Sequence, residues 1–151
     1  MAYLKNIDSK KLLQKLIFNT DNNNLLSNIK EHGKLIFDNY LIKYKYDKSI
    51  AYITTFNSHK MALVAISKQS GYSSFLLNNL AKEIVGFAMT YYDNLIDKTR
   101  HFSLRSNNDV DVSLIAKKYG GGGHKNSSGF IISLQKGINL VNEILNNKEI
   151  K

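Results

Sequence analysis

Apolar residues recur along this chain in two periods, and the switches between them outline the fold. Leu12, Leu13, Leu16 and Ile17 share one side of a helix over residues 8–19, which Asp8 or Ser9 can cap. Asp21 to Asn24 are turn or helix-start residues. Helical spacing resumes at Leu25, Leu26 and Ile29, continues through Ile36, Phe37, Tyr40 and Leu41, and weakens through Tyr44, Ile50 and Ile53. The chain has no proline, so one long helix is predicted over residues 23–55, with a break allowed at 46–49.

From residue 61 the pattern changes. Residues 61–66 form a short continuous apolar run, the mark of a strand buried on both faces. Gly71, Tyr72 and Ser73 supply a turn, and a helix over 74–82 directs Leu76, Leu77, Leu80 and Ala81 inward. Residues 84–92 read as a second apolar strand. Asp93 and Asn94 interrupt it, so the next strand pairs antiparallel. Over 100–106 alternation is strict: Phe102 and Leu104 face one way, His101, Ser103 and Arg105 the other. Asp109 or Asp111 caps a helix carrying Val112, Ile115, Ala116 and Tyr119 on one face. Lys117 and Lys118 complement its dipole, and Gly120 ends it. After the glycine run a turn of helix is expected, then a strand over 130–134. A final helix over 136–147 places Ile138, Val141, Ile144 and Leu145 inward. The alternation predicts an α/β fold: a mixed β-sheet flanked by helices, preceded by a long N-terminal helical extension. The expected division is 1–56 for the extension and 57–151 for the α/β domain.

The chemistry concentrates in Gly120–Gly123, His124, Lys125, Asn126, Ser127, Ser128 and Gly129. Four successive glycines let the backbone approach a ligand with no Cβ in the way, and their N–H groups suit a phosphate. A flexible linker is the other reading of such a run. It fits less well here, because this run interrupts one compact pattern. Asp109-Val110-Asp111 is a DxD string, which capping at a helix start explains more simply than a metal site. His32, His59 and His101 have no carboxylates at ligand spacing.

Composition narrows the partners. A formal net charge of +9 favours anions, although the lysines are dispersed and only Arg100 and Arg105 are arginines. Much of that charge also serves as a solvated surface. The chain contains no cysteine, which excludes disulfides and thiolate chemistry. No signal peptide or membrane-length apolar run occurs, so an intracellular, cytoplasmic protein with no membrane partner is expected.

Ser103-Leu104-Arg105-Ser106, then residues 111–116, then Gly120–Gly129 resemble the C-terminal, substrate-binding domain of the DHH phosphoesterases. That family includes single-strand exonucleases, oligoribonucleases and cyclic-dinucleotide phosphodiesterases. Its GGGHxxAAG signature is matched by Gly121 to Gly129, with Ser127 and Ser128 in place of the two alanines. The resemblance covers roughly residues 58–135, and the long helix before it resembles the family's interdomain connector. It implies that the backbone of Gly121, Gly122 and Gly123 holds a substrate phosphate, that His124 contacts it, and that Arg105 pairs with a phosphate. Ser103, Ser106, Gly120 and Lys125 would support them. Taken singly, Arg105 reads as a surface salt-bridge residue and His124 as a capping or core histidine. Grouped with the glycines, they read as a site. A guanidinium also forks onto phosphate oxygens as lysine cannot.

The family's hydrolysis uses Mn²⁺ or Mg²⁺ held by an N-terminal domain, and no Asp-His-His string occurs here. The resemblance therefore implies half of a bipartite active site and no cofactor in this half. Mn²⁺ or Mg²⁺ enters only if a catalytic domain is supplied elsewhere, for example by a separate catalytic-domain chain. Expected ligands are a short oligonucleotide, a nucleotide or a cyclic dinucleotide. The long helix leaves room for a homodimer. The alternative is a stand-alone, non-catalytic binding protein that sequesters nucleotides or single-stranded nucleic acid.

Overall fold

The computed structural model describes residues 22–67, 71–84, 86–107 and 110–146. The helix expected over 8–19, and Asp109 of the DxD string, lie outside them. The chain forms two compact units, Met1–Leu41 and Ile42–Lys151. Among the described residues no helix is long and apolar enough to cross a membrane.

The predicted long helix is present as α1, Asn22–Ser49, and ends earlier than its spacing suggests. Ile53 lies instead in a strand, β1 (Tyr52–Phe56). The β-branched run Ile53-Thr54-Thr55 favours extended backbone. Asn57 and Ser58 then take φ of 51° and 63°, a two-residue hairpin turn into β2 (His59–Ala65). In the first unit, the front of α1 carries exposed Leu26, Leu35 and Ile36. In the second, the end of α1 buries Asp47, which accepts from the Tyr72 hydroxyl at 2.6 Å and from the Lys43 ammonium at 3.0 Å. Burial, reinforced by that carboxylate, pushes the Tyr72 phenol far above its ordinary range.

The next helix, α2 (Tyr72–Glu83), carries the chain from β2 to β3 (Phe87–Asn94), and the two strands pair in parallel. Then follow β4 (Thr99–Ser106), α3 (Val112–Lys118), β5 (Gly122–His124), β6 (Ser127–Ser133) and α4 (Leu134–Asn146). The sheet order is β1-β2-β3-β4-β6-β5, antiparallel at every pair but β2–β3. This is the mixed α/β sheet that the sequence predicts.

Two faces follow from the pleat. Met61, Leu63, Phe87, Met89, Phe102, Leu104 and Phe130 join Val112, Ile115, Leu140, Val141 and Ile144 in the main core beneath α3 and α4. The opposite face buries Ala62, Val64, Ala88 and Thr90 with Leu76, Leu77 and Leu80 of α2. Among the described residues of the second unit, α2 is the helix on this second face, and it packs on β2, β3 and β4.

Two predicted details change. The inward side of α4 is Gly137, Leu140, Val141 and Ile144, while Ile138 and Leu145 are exposed. The stripe is turned so that Gly137 meets the aliphatic stem of Arg100. The last two glycines of the run and the residues after them form a hairpin, β5 and β6, and not a turn of helix.

Arg100 is the buried arginine. Its guanidinium donates to both carboxylate oxygens of Asp93, at 2.6 and 2.9 Å, and to the Gly137 carbonyl at 3.2 Å. The guanidinium holds the Asp93 carboxyl below the usual carboxylate range. A carboxyl lowered in the folded state stabilises the fold above its unfolded pKa of about 4, and that contribution disappears as pH falls through the folded value. Between pH 7 and pH 3 the melting temperature of the native chain is therefore expected to drop further than that of Asp93→Asn. Calorimetry on both proteins checks this, and equal drops would refute it.

Candidate phosphate-binding face

The glycine run is pinned at both ends before it meets any ligand. Asp111 caps α3: its carboxylate accepts from the Ser113 N–H at 3.0 Å and from the Ser113 hydroxyl at 2.6 Å, which lowers its pKa. At the far end, Gly120 N–H reaches the Lys117 carbonyl (3.1 Å) and Gly121 N–H the Ala116 carbonyl (2.9 Å), with Gly120 at φ 78°. That pairing is a Schellman closure, which needs a left-handed residue and so a glycine. The turn after β5 is tied down as well. The Lys125 carbonyl accepts from Val112 N–H at 2.9 Å, and the Asn126 carbonyl accepts from Ser106 N–H at 3.2 Å.

Strand register then aligns the predicted residues in rows. Arg105 on β4 pairs with Ser127 on β6, and Ser127 with His124 on β5. Ser103, Gly129 and Gly122 form the next row. Directly paired residues project to the same face, the one that α2 covers over β2 to β4 and that stays exposed at His124 and Ile131. Arg105 and His124 thus stand two strand spacings apart, about 10 Å, above a floor of small residues.

Each predicted residue has a distinct place. Gly122 is the telling glycine: a Cβ there would meet nothing within 4 Å, and its φ is not left-handed. Neither packing nor backbone geometry asks for glycine at that position. By contrast, a Cβ on Gly121 would overlap β6 at the Gly129 carbonyl and Phe130. The Gly120 and Gly121 amides are spent on α3. The unspent amides lie further along, where β5 is the sheet edge and alternate N–H groups of Gly122, Gly123 and His124 point away from β6. His124 and Lys125 are exposed, and Ser103 sits on the floor. Ser106 is on the opposite face, where its hydroxyl donates to the Val110 carbonyl at 2.6 Å. Ser128, a motif serine, is buried and donates to the Val112 carbonyl at 2.7 Å.

Arg105 differs from Arg100 in the respect that matters. Its guanidinium is half-buried and, among the described residues, donates to the Leu104 carbonyl (3.0 Å) and the Ser74 hydroxyl (3.3 Å). Among the described residues no carboxylate pairs with it. Burial pushes its pKa down, yet a guanidinium stays charged at neutral pH. A desolvated, unpaired cation is costly unless an anion joins it.

Ser74, in the first turn of α2, escapes sequence reading because it lies far from the motif along the chain. Beside the floor is a pocket of about 430 Å³ lined by Tyr92, His101, Ser103, Gly120, Gly129 and Ile131, among others. Among the described residues no three His, Cys, Asp or Glu side chains are grouped to hold a metal. The donor set does not fit Mn²⁺ or Mg²⁺, and no step through a metal is assigned to these residues.

A family model described as the DHHA1 domain matches residues 47–148. An uncharacterized protein, R106, of Acanthamoeba polyphaga mimivirus is 34% identical over 100 residues, covering 64% of this chain and 24% of that protein. The chain thus matches about a quarter of that relative's length. Among solved structures, an uncharacterized protein from Helicobacter pylori G27 is similar with a TM-score of 0.50 at 19% identity, over 92% of this chain and 45% of its own. An exopolyphosphatase-related protein from Bacteroides fragilis gives 0.50 at 18% identity, over 85% and 43%. These two are likenesses of fold. The family match takes in the whole sheet, the glycine hairpin and the helices α2 to α4, well over half of the chain. The chain belongs to the DHHA1 domain family, the domain associated with DHH-family phosphoesterases.

Proposed function

We propose that the open face binds a phosphate group of a nucleotide or short oligonucleotide, as the substrate-binding half of a DHH-type phosphodiesterase. The observation that carries this reading is Arg105, a half-buried guanidinium with no carboxylate partner among the described residues, facing His124 across a glycine floor. Membership of a family associated with phosphoesterases supports it. The division of labour is chemical. These residues would position and neutralise the phosphate, and the chemistry that cuts it would be supplied by a catalytic domain.

Titration of the pure chain with a 5′-phosphorylated dinucleotide tests the reading. Binding through phosphate contacts predicts an affinity that falls as salt rises from about 50 to about 200 mM, because added ions screen the attraction. His124→Ala should weaken binding further at either salt. Salt-independent binding, or an unchanged His124→Ala, would overturn the site. Mn²⁺-dependent hydrolysis by the pure chain would overturn the division of labour.

A further inference from the structure

We propose that Tyr92 and His101 form a nucleobase platform beside the phosphate site, so that the ligand is a nucleoside phosphate and not an inorganic phosphate chain. This rests on the phosphate-binding reading and gives it a substrate class. The two residues are cross-strand neighbours on β3 and β4. Their rings stack with centroids 4.7 Å apart and 18° between planes. The Thr99 hydroxyl lies 3.3 Å from His101 Nε2 and helps to orient the imidazole. Both rings are partly exposed on the open face and belong to neither core.

Their position suits a base. The register places His101 beside Ile131 on β6, one row beyond Ser103 and Gly129. Two residues along a strand span about 6.7 Å, the scale of a ribose between its phosphate and its base. Ile131 is 57% exposed, an apolar floor next to a ring whose outer face continues toward the pocket. A base standing on Ile131 extends the Tyr92–His101 stack by one ring. Gly120 and Gly129 leave the far side of that pocket free of bulk.

The same pocket argues against inorganic polyphosphate. Its lining contains no lysine and no arginine. A second or third phosphate placed there would lose its hydration without gaining a fixed cation. An aromatic and aliphatic lining instead suits a flat, weakly polar ring. Stacking accepts any base, so the platform predicts nucleotide binding with little base preference.

The test compares 5′-AMP, ribose 5-phosphate and pyrophosphate by calorimetric titration of the full chain. AMP should bind about tenfold tighter than ribose 5-phosphate, the scale of one base–aromatic stack. Tyr92→Leu and His101→Ala should each reduce AMP affinity toward the ribose 5-phosphate level and leave pyrophosphate unchanged. His101→Phe, which keeps a ring and removes the nitrogens, should retain AMP binding. Unchanged pyrophosphate binding also shows that the variants are folded. If AMP binds no tighter than ribose 5-phosphate, the platform is overturned, while Arg105-dependent pyrophosphate binding still supports the phosphate site. If pyrophosphate binding ignores Arg105→Ala, or none of the three ligands binds, the phosphate reading fails and the platform with it.

Discussion

Gly122→Val is expected to abolish phosphate-ligand binding with almost no change in melting temperature, whereas Gly121→Ala is expected to lower the stability of the domain. The two positions are adjacent and differ in what a Cβ would meet. At Gly121 it would overlap the backbone of β6 and the Cβ of Phe130, so strand and helix end must move apart. Overpacking of this kind costs about 3 kcal/mol, enough to shift the midpoint by more than about 10 °C in a domain of this size. At Gly122 the space is open and the strand backbone accepts a β-branched residue. Valine there fills the room above the Ser103–Gly129 row, where the ligand is proposed to lie. Scanning calorimetry and titration with a dinucleotide separate the two effects. A Gly122→Val protein that binds as the native chain does would show that no ligand approaches this floor.

Arg105→Ala is expected to reduce phosphate affinity by about ten- to a hundredfold, the loss of one or two charge-assisted hydrogen bonds of about 1.5–3 kcal/mol. The same change should leave the melting temperature level or raise it. No carboxylate is orphaned, and a desolvated charge is removed. Arg105→Lys should recover little, because a single ammonium cannot reproduce the fork. Arg100→Ala should behave in the opposite way, destabilising the fold by breaking the Asp93 and Gly137 contacts. If Arg105→Ala melts early and still binds ligand, the residue is a strut between Ser74 and the Leu104 carbonyl.

The parts legible in the sequence were those whose signal is local. The alternation over 100–106 placed Phe102 and Leu104 in the core and turned Arg105 and Ser103 the other way. Asp109 and Asp111 both read as caps of α3, of which Asp111 takes the role, and Gly120 marked its end. β1 was hidden because Ile50 and Ile53 also fit a helical period, and the turn at Asn57–Ser58 carries no glycine to advertise it. The hairpin after the glycines was hidden for a related reason. Small residues suit an anion-binding turn and an edge strand equally, and only pairing with β6 decides. Ser106 lies beside Arg105 in the motif, yet the pleat sends it to the other face. The Arg105–Ser74 contact and the Tyr92–His101 stack depend on packing and register between separate strands and helices, which no single stretch of sequence encodes.

The Schellman closure at Gly120 and Gly121 has a consequence for affinity. Four consecutive glycines would ordinarily be the most disordered stretch of a chain, and ordering them at the moment of capture would cost about 1–2 kcal/mol for each residue fixed. Here two amides are locked to α3, the turn beyond β5 is locked to Val112 and Ser106, and β6 holds the strand between. The conformational entropy is surrendered during folding. A ligand as small as a single nucleotide, with few contacts to spend, would then meet a preformed floor and lose little of its binding free energy to rearranging it.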